Sequence, residues 1–342
     1  MSNEFFSHCS SLVAHCLIIM KKVRAGVVGV GHMGRYHVGV YSELPNVKLV
    51  GISDLNETRG REIAEKYNTI FYKDYKELFN KADVISIAVP TSHHYKTTKD
   101  FLMAGIHVLV EKPMTKSIKE AMELFEIADK KGLTLHVGHV ERFNGAVHEL
   151  KKIVDNPLFI ECRRLGPYDS RIQDDGVVVD LMIHDIDIIL SLVNSKVKRL
   201  NVVGNSIFSD KDDLCNVQME FENGCIANIT ASRVTQHKIR TLAITQRDKY
   251  IFLDYSNQDI HIHRQASSEH FLTRQELRYK QESFTERIFV HRDNPLKLEL
   301  NHLIDCAING AERMVPADEE IYSLQIALEV LDKFKKQKNS QR

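Results

Sequence analysis

Lys22-Val23-Arg24-Ala25-Gly26-Val27-Val28-Gly29-Val30-Gly31-His32-Met33-Gly34 is the stretch that decides the fold of this chain. An apolar run, Val23 to Val30, leads straight into three glycines spaced Gly-x-Gly-x-x-Gly. Glycines cluster in many turns, so this spacing carries weight only with a strand before it, a helix after it and an acid further on. All three are here. Gly29 allows the tight turn, Gly31 lets the backbone approach a pyrophosphate, and Gly34 lets helix pack close on strand. His32 and Met33 open the helix, whose N-terminus offers unpaired N–H groups and partial positive charge to phosphates. Asp54 comes about 20 residues beyond Gly34, after the apolar run Val47 to Ser53. A carboxylate there accepts hydrogen bonds from ribose hydroxyls and repels a 2′-phosphate, which favours NAD over NADP. Arg59 would accommodate a 2′-phosphate if it reached one; its other reading is a solvated residue early in the next helix.

Further apolar runs at Val84 to Val89, His107 to Val110 and Leu133 to Val137 alternate with helical patterns. These patterns cover Arg59 to Tyr67, Tyr75 to Asn80, Lys96 to Ala104 and Ile118 to Lys130. Strands written as near-continuous apolar runs are buried on both faces, as in parallel sheets. Ser117, with Glu120 three residues on, marks a helix start, and Gly132 marks its stop. The fold class expected over residues 20–144 is an α/β Rossmann domain with a doubly wound parallel sheet.

Past Asn144 the pattern changes. A helix from Ala146 to Val154, a strand from Phe159 to Leu165 and a helix from Asp180 to Leu192 lead into strand-like stretches that continue to about Val290. Among these are Val217 to Glu222, Cys225 to Thr230, Arg240 to Thr245 and Tyr250 to Asp254, with Asn223-Gly224 as a tight-hairpin signal. Helices from Leu296 to Ile308 and from Ile321 to Phe334 close the chain. Residues 145–342 therefore read as an α+β domain with a large, mostly antiparallel sheet for substrate and subunit contacts. The apolar stripe of its last helix is able to pack back on the first domain.

The chain has 342 residues, 43% of them hydrophobic, which is comfortable for two cores. Lys+Arg and Asp+Glu balance at 46 each, so no global field draws it to nucleic acid or to an acidic membrane. The basic end, Lys333 to Lys338, reads as a solvated helix terminus. Six scattered cysteines without C-x-x-C fit a reducing, cytoplasmic compartment. Leu12 to Met20 resembles a short signal-peptide core, but no Lys or Arg precedes it, His15 interrupts it and no cleavage site follows. Residues 1–19 are expected to be a poorly ordered extension, or to lie upstream of a start at Met20.

Glu111-Lys112-Pro113 ends a strand-like run, so Lys112 points toward the cleft where a nicotinamide would lie. A desolvated lysine exchanges protons near neutral pH, whereas a solvated one is only a surface charge. Val89-Pro90-Thr91-Ser92-His93-His94 follows another strand end; Pro90 and Thr91 are placed on the nicotinamide ribose, and the two histidines read as surface or loop residues. Asp180 and His184 stand i, i+4 on a helix, hence on one face. A carboxylate there can orient the imidazole and favour its protonated form. The blander reading is a helix-start acid beside a satisfied histidine. No cysteine or third histidine stands at ligand spacing, so no metal is expected.

Gly29-x-Gly31-x-x-Gly34, Glu111-Lys112-Pro113 and Asp180-x-x-x-His184-Asp185, in this order, resemble the signatures of the glucose–fructose oxidoreductase / inositol dehydrogenase / MocA family. The resemblance implies an NAD-dependent dehydrogenase acting on a CH–OH group of a sugar, with Lys112, Asp180 and His184 as the catalytic group and Glu111 and Lys112 beside the cofactor. It also implies a homodimer or homotetramer formed through the antiparallel sheet. Gly138-His139-Val140-Glu141-Arg142-Phe143-Asn144 and Arg164-Leu165-Gly166-Pro167 resemble the branch acting at C3 of UDP-N-acetylglucosamine, which feeds an aminotransferase on the way to the 2,3-diamino sugars of lipid A. Asp174-Asp175-Gly176 departs from the Gly-Gly of many members.

A diphosphate substrate needs cations. Arg142, Arg163, Arg164 and Arg171 are the candidates, Arg142 and Arg164 first, with Asn144, Asp180 and His184 on the sugar side. The alternatives are an inositol or simple-sugar dehydrogenase, which needs no diphosphate site, and an NAD(H)-sensing binding protein, which needs neither Lys112 nor His184.

Overall fold

The computed structural model describes residues 22–168, 175–272 and 277–340, with side chains described for all of these outside 265–283. The expectations for residues 1–19, Arg171 and Asp174 lie outside the described residues.

The first half is built on β1 (Val23–Val28), β2 (Val47–Ser53), β3 (Phe71–Tyr72), β4 (Val84–Ile87), β5 (His107–Glu111) and β6 (Leu135–Gly138). They pair in parallel in the order β3-β2-β1-β4-β5-β6. The order reverses between β1 and β4, and a crevice above their carboxyl ends is where open sheets of this kind bind ligands. Between the strands run α1 (His32–Glu43), α2 (Glu57–Lys66), α3 (Thr91–Met103) and α4 (Ile118–Lys131). Local chemistry sets their ends. Ser117 Oγ accepts the Glu120 N–H at the start of α4, and Gly132 ends it at φ 63 in the left-handed region. Tyr75–Leu78 is a single 3₁₀ turn rather than the helix its pattern suggested, and α3 starts at Thr91, directly after Pro90.

The second half follows α5 (Gly145–Ile153) and runs through β7 (Phe159–Leu165), α6 (Ile183–Val193), β8 (Val197–Asn205), β9 (Leu214–Phe221), β10 (Ile226–Ser232), β11 (Ile239–Thr245), β12 (Lys249–Asp254), β13 (Asp259–Leu272) and β14 (Leu277–Ile288). The eight strands order as β14-β13-β12-β11-β7-β10-β9-β8, all antiparallel except β7 beside β10. Alternation assigns the faces: Ile160 and Cys162 of β7 and Leu242 and Ile244 of β11 are fully buried on the inner side. A π turn, Val178–Met182, precedes α6 where a plain α-helix from Asp180 was expected.

Two terminal helices fasten the halves together. From α7 (Pro295–Asn309), Leu296, Leu300, Leu303 and Ile304 enter the apolar cluster formed by β1, β2 and α1. At about 1.5–3 kcal/mol for each aliphatic side chain buried, these four supply on the order of 6–12 kcal/mol. The last helix, α8 (Ala317–Ser340), packs against α6, β8 and also α4 of the first half. Cys162, Cys215, Cys225 and Cys306 are free, buried thiols that act as small apolar residues. Among the described residues no helix is long and apolar enough to cross a membrane.

Candidate active site

At the end of β1, Gly29 takes φ 83, and a Cβ there would lie 2.5 Å from the Ala88 carbonyl oxygen. Gly34 is held tighter still: its Cβ would lie 1.8 Å from Gly29 O, so α1 sits directly on the turn. Gly31 is the opposite case. Nothing lies within 4 Å of a Cβ placed there, and as N-cap of α1 it has no side-chain cap. The helix start is therefore an open cradle of unpaired N–H groups, a shape suited to a pyrophosphate. Asp54 Oδ2 accepts the Val30 N–H at 2.7 Å, while Oδ1 accepts Asn56 N–H at 2.7 Å and Arg59 Nη2 at 2.8 Å. A cavity of about 490 Å³ is lined by Gly29, Gly31, Asp54, Arg59, Pro90 and His93. These residues fit the adenosine and pyrophosphate half of a dinucleotide. His32 stands exposed at the helix start, its ring edge against Tyr36, and Met33 faces a different cavity.

Two residues placed here from the sequence, and a third read as a surface or loop histidine, are used otherwise. Glu111 turns into the core, where Oε1 meets His37 Nε2 at 2.9 Å, because the β5 pleat carries its side chain away from the cleft that Lys112 faces. Thr91 Oγ1 donates to Asp175 Oδ2 at 2.8 Å, tying α3 to the loop before the π turn. His94 is no surface histidine: it is buried, and its ring nitrogens lie 2.8 Å from the carbonyls of Pro113 and Val89, joining the two loops that border the crevice.

Lys112 follows β5, with a cis peptide to Pro113. Its ammonium donates to the Asp180 carbonyl and, at 2.9 Å, to Asp180 Oδ1. Burial alone would raise the Asp180 carboxyl, but the Lys112 ammonium, and then the charges of Arg233 and Arg240, hold it below the ordinary carboxylate value. His184 stands on the first turn of α6, with Nδ1 buried and unpartnered among the described residues. Burial first, then the positive charges of Lys112, Arg164, His139 and Arg240, push its imidazole well below 6.5. This corrects the expectation drawn from i, i+4 spacing. The carboxylate is committed to Lys112, the π turn shifts the helical phase between positions 180 and 184, and His184 is neutral rather than favoured as a cation.

The first-choice arginines are corrected as well. Arg142 is buried, with its guanidinium on both carboxylate oxygens of Asp187 and on Glu319. Arg164 is buried too, bidentate to Asp185 at 2.8 and 2.7 Å and bonded to Glu141 at 2.9 Å. Both answer buried acids on α6, Asp185 through Arg164 and Asp187 through Arg142 together with His139 and Ser323; a buried acid left unpaired is strongly unfavourable. Asn144 caps α5 through the Ala146 N–H and donates to Glu141, so it is structural. Arg163 is exposed and paired with Glu161. Lys238 and Arg240, neither singled out in sequence, line a cavity between the two halves together with Arg35 of α1. The available signal is parity: Arg240 shares the inner-face register of Leu242 and Ile244.

Away from the cleft, His136, His302 and Cys306 bring one potential ligand atom each within 4.8 Å of one another, a grouping that their sequence spacing does not suggest. The two rings stack at 5.2 Å and His302 Nε2 accepts the Met314 N–H at 2.9 Å, so packing already uses them.

Residues 23–139 match the model of the GFO/IDH/MocA oxidoreductase family with an NAD-binding Rossmann fold, and residues 145–248 match the GFO/IDH/MocA C-terminal domain. UDP-N-acetylglucosamine 3-dehydrogenase of Acidithiobacillus ferrooxidans is 34% identical over 249 residues, covering 72% of this chain and 79% of that protein. A solved structure of that enzyme aligns with a TM-score of 0.83 at 29% identity over 92% of this chain and 98% of its own. The NAD-dependent scyllo-inositol 2-dehydrogenase of Bacillus subtilis is 24% identical over 336 residues, covering 92% and 94%. Levoglucosan dehydrogenase, solved with NADH, shares the fold at a TM-score of 0.77 and 18% identity over 91% and 96%.

Proposed function

This chain belongs to the GFO/IDH/MocA oxidoreductase family, and from that premise we propose that it oxidises C3 of UDP-N-acetylglucosamine to the 3-keto sugar with NAD. Membership makes it an NAD(H)-binding oxidoreductase of sugar CH–OH groups. The observation that carries the site assignment is the Lys112 ammonium bonded to Asp180 at 2.9 Å beside a neutral His184, just past the carboxyl end of β5 in the sheet that carries the nucleotide cradle. The 34% identity to the Acidithiobacillus ferrooxidans enzyme supports the choice of sugar.

Gly29, Gly31 and the α1 N-terminus would hold the pyrophosphate, and Asp54 the adenosine ribose; when bound, NAD supplies the hydride acceptor. Arg59 pairs with Asp54, so the acid is anchored where a 2′-phosphate would be repelled, which supports NAD over NADP. His184, neutral and carrying a lone pair, takes the hydroxyl proton as general base. Lys112 hydrogen-bonds the substrate oxygen as negative charge develops on it, and Asp180 positions Lys112. The reverse assignment, Lys112 as base, has less support because its ammonium is held by two acceptors on Asp180.

The proposal extends to the setting. Residues 20–144 form the nucleotide unit and 145–342 the substrate and oligomerisation unit. The outer face of the second sheet exposes Phe159, Val203, Ile226 and Tyr250, which supports a homodimer or homotetramer through it. The 3-keto product would pass to an aminotransferase in the cytoplasm, toward a 2,3-diamino sugar of lipid A. NADH formation by the purified protein tests the reading, with UDP-N-acetylglucosamine compared against inositol and glucose and an aminotransferase added to draw off the ketone. Turnover of inositol or glucose without turnover of the UDP-sugar refutes it.

A further inference from the structure

The acids of α6 consume Arg142 and Arg164, yet the cleft wall still carries surplus positive charge. Arg240 opens β11 on its inner face, directly opposite Arg164 across the antiparallel pair. Like charges so placed are destabilising, and one carboxylate lies between them. Glu141 binds Arg164 at 2.9 Å but stands 3.9 Å from Arg240. Lys238, two residues before Arg240, is exposed and makes no hydrogen bond or ion pair among the described residues. We propose that Lys238 and Arg240 form the subsite for the diphosphate of a nucleoside-diphosphate sugar, an inference that rests on the UDP-sugar reading above.

The geometry gives this subsite the right surroundings. Lys238 and Arg240 line an open cavity of about 670 Å³, bordered by Glu141 and Tyr255 and, from the flank of α1, by Met33, Arg35 and Tyr36. This cavity is separate from the one lined by Gly29 and Gly31, so a pyrophosphate here is not the cofactor's. Its lining holds none of Lys112, Asp180 and His184, but the Arg240 charge is near enough to act on both Asp180 and His184. The crowding registers on the cations themselves. Arg240 first, then burial, holds the Lys238 ammonium below its ordinary value; burial first, then Arg164, does the same to Arg240. A dianion relieves this repulsion, and the Arg240 fork can take one phosphate through two N–H donors. Tyr36, half exposed, lines the same cavity with the Arg35 guanidinium over its ring at 5.3 Å.

The test measures UDP affinity by calorimetry, and KM and kcat for UDP-N-acetylglucosamine, in the wild type, Lys238→Ala, Arg240→Gln and the conservative Arg240→Lys. Each removal weakens UDP binding and raises KM by roughly 10- to 100-fold, the worth of hydrogen bonds to a charged group, with kcat changed less. Arg240→Lys recovers part of the loss, and NADH binding by fluorescence verifies the fold. Lys238 is exposed, so its variant keeps the test open if Arg240→Gln fails to fold. Unchanged UDP affinity in both removals overturns the subsite, as does a wild type that binds no UDP. A wild type that binds UDP through these residues but does not oxidise the UDP-sugar leaves the subsite standing and overturns the proposed reaction.

Discussion

Replacing Lys112 with Met removes an ammonium that donates twice to Asp180 in a site where the two side chains are 14% and 24% exposed. Breaking such a partly buried pair from one side leaves an uncompensated carboxylate and costs up to about 3–5 kcal/mol of stability, the figure for a fully buried pair. The same change removes a hydrogen-bonding and proton-handling group from the reacting oxygen, worth about 10²–10⁴ in turnover. At 1.36 kcal/mol per decade, that is roughly 3–5 kcal/mol of barrier. The two losses are similar in size, so a single variant cannot separate a collapsed site from a missing catalytic group. Adding Asp180→Asn does separate them, because Asn keeps the shape without the charge. The double variant should recover most of the lost stability in urea titrations and little of the turnover followed by NADH absorbance, with NADH fluorescence confirming cofactor binding. A double variant within tenfold of wild-type turnover would refute a chemical role for Lys112, and so would a single variant with normal kcat.

The glycines of the cradle should part company on substitution. Gly34→Ala drives a Cβ to 1.8 Å from Gly29 O and should unfold the nucleotide half in circular dichroism, whereas Gly31→Ala meets nothing within 4 Å, should keep its Tm, and should lose NADH fluorescence binding. His184→Ala should lower kcat by about 10²–10⁴-fold with NADH still bound. In the wild type the acid limb of kcat should lie well below pH 6.5, because the imidazole is neutral above its depressed value; a limb at or above 6.5 contradicts this. Stability should peak near neutral pH in thermal melts. His107, His136, His184 and His302 are pushed down chiefly by burial, so the unfolded chain binds more protons and stability falls below about pH 6.5. His139 runs the other way: burial opposes its charge, but Asp187 and Glu320 raise it to about 9, so its contribution is complete below 6.5 and is lost as pH climbs toward 9. A Tm that rises steadily from pH 7 to 9 would contradict that sign.

The first half was largely legible because its signals are local. Ser117 and Gly132 bracket α4 as their backbone chemistry requires, and the three glycines act through the backbone alone. The site was less legible because its residues are chosen by partners distant in sequence. Arg142 and Arg164 look like ligand cations until Asp187 and Asp185 reach them from α6. A clue was present, since acids inside the apolar run Ile183 to Leu190 must be buried and must find cations. Spacing of i, i+4 misleads at Asp180 and His184 because it assumes a uniform period, which the π turn breaks. Nothing short of the folded sheet brings Arg240 opposite Arg164.

The π turn also sets how the gene can change. A π turn accommodates one residue more than an α-helix of the same span, so Val178–Met182 carries, in effect, a one-residue insertion. Deleting a single residue there would let the ladder close as a regular α-helix. The segments on either side would keep their alignment, because the π turn already absorbs the extra residue, and only the turn itself would be rebuilt. Asp180 lies inside the turn and would lose the local geometry that presents both its carbonyl and its carboxylate to Lys112, while His184 stayed in place. The Lys112 contact therefore constrains the length of this turn as well as the acid within it.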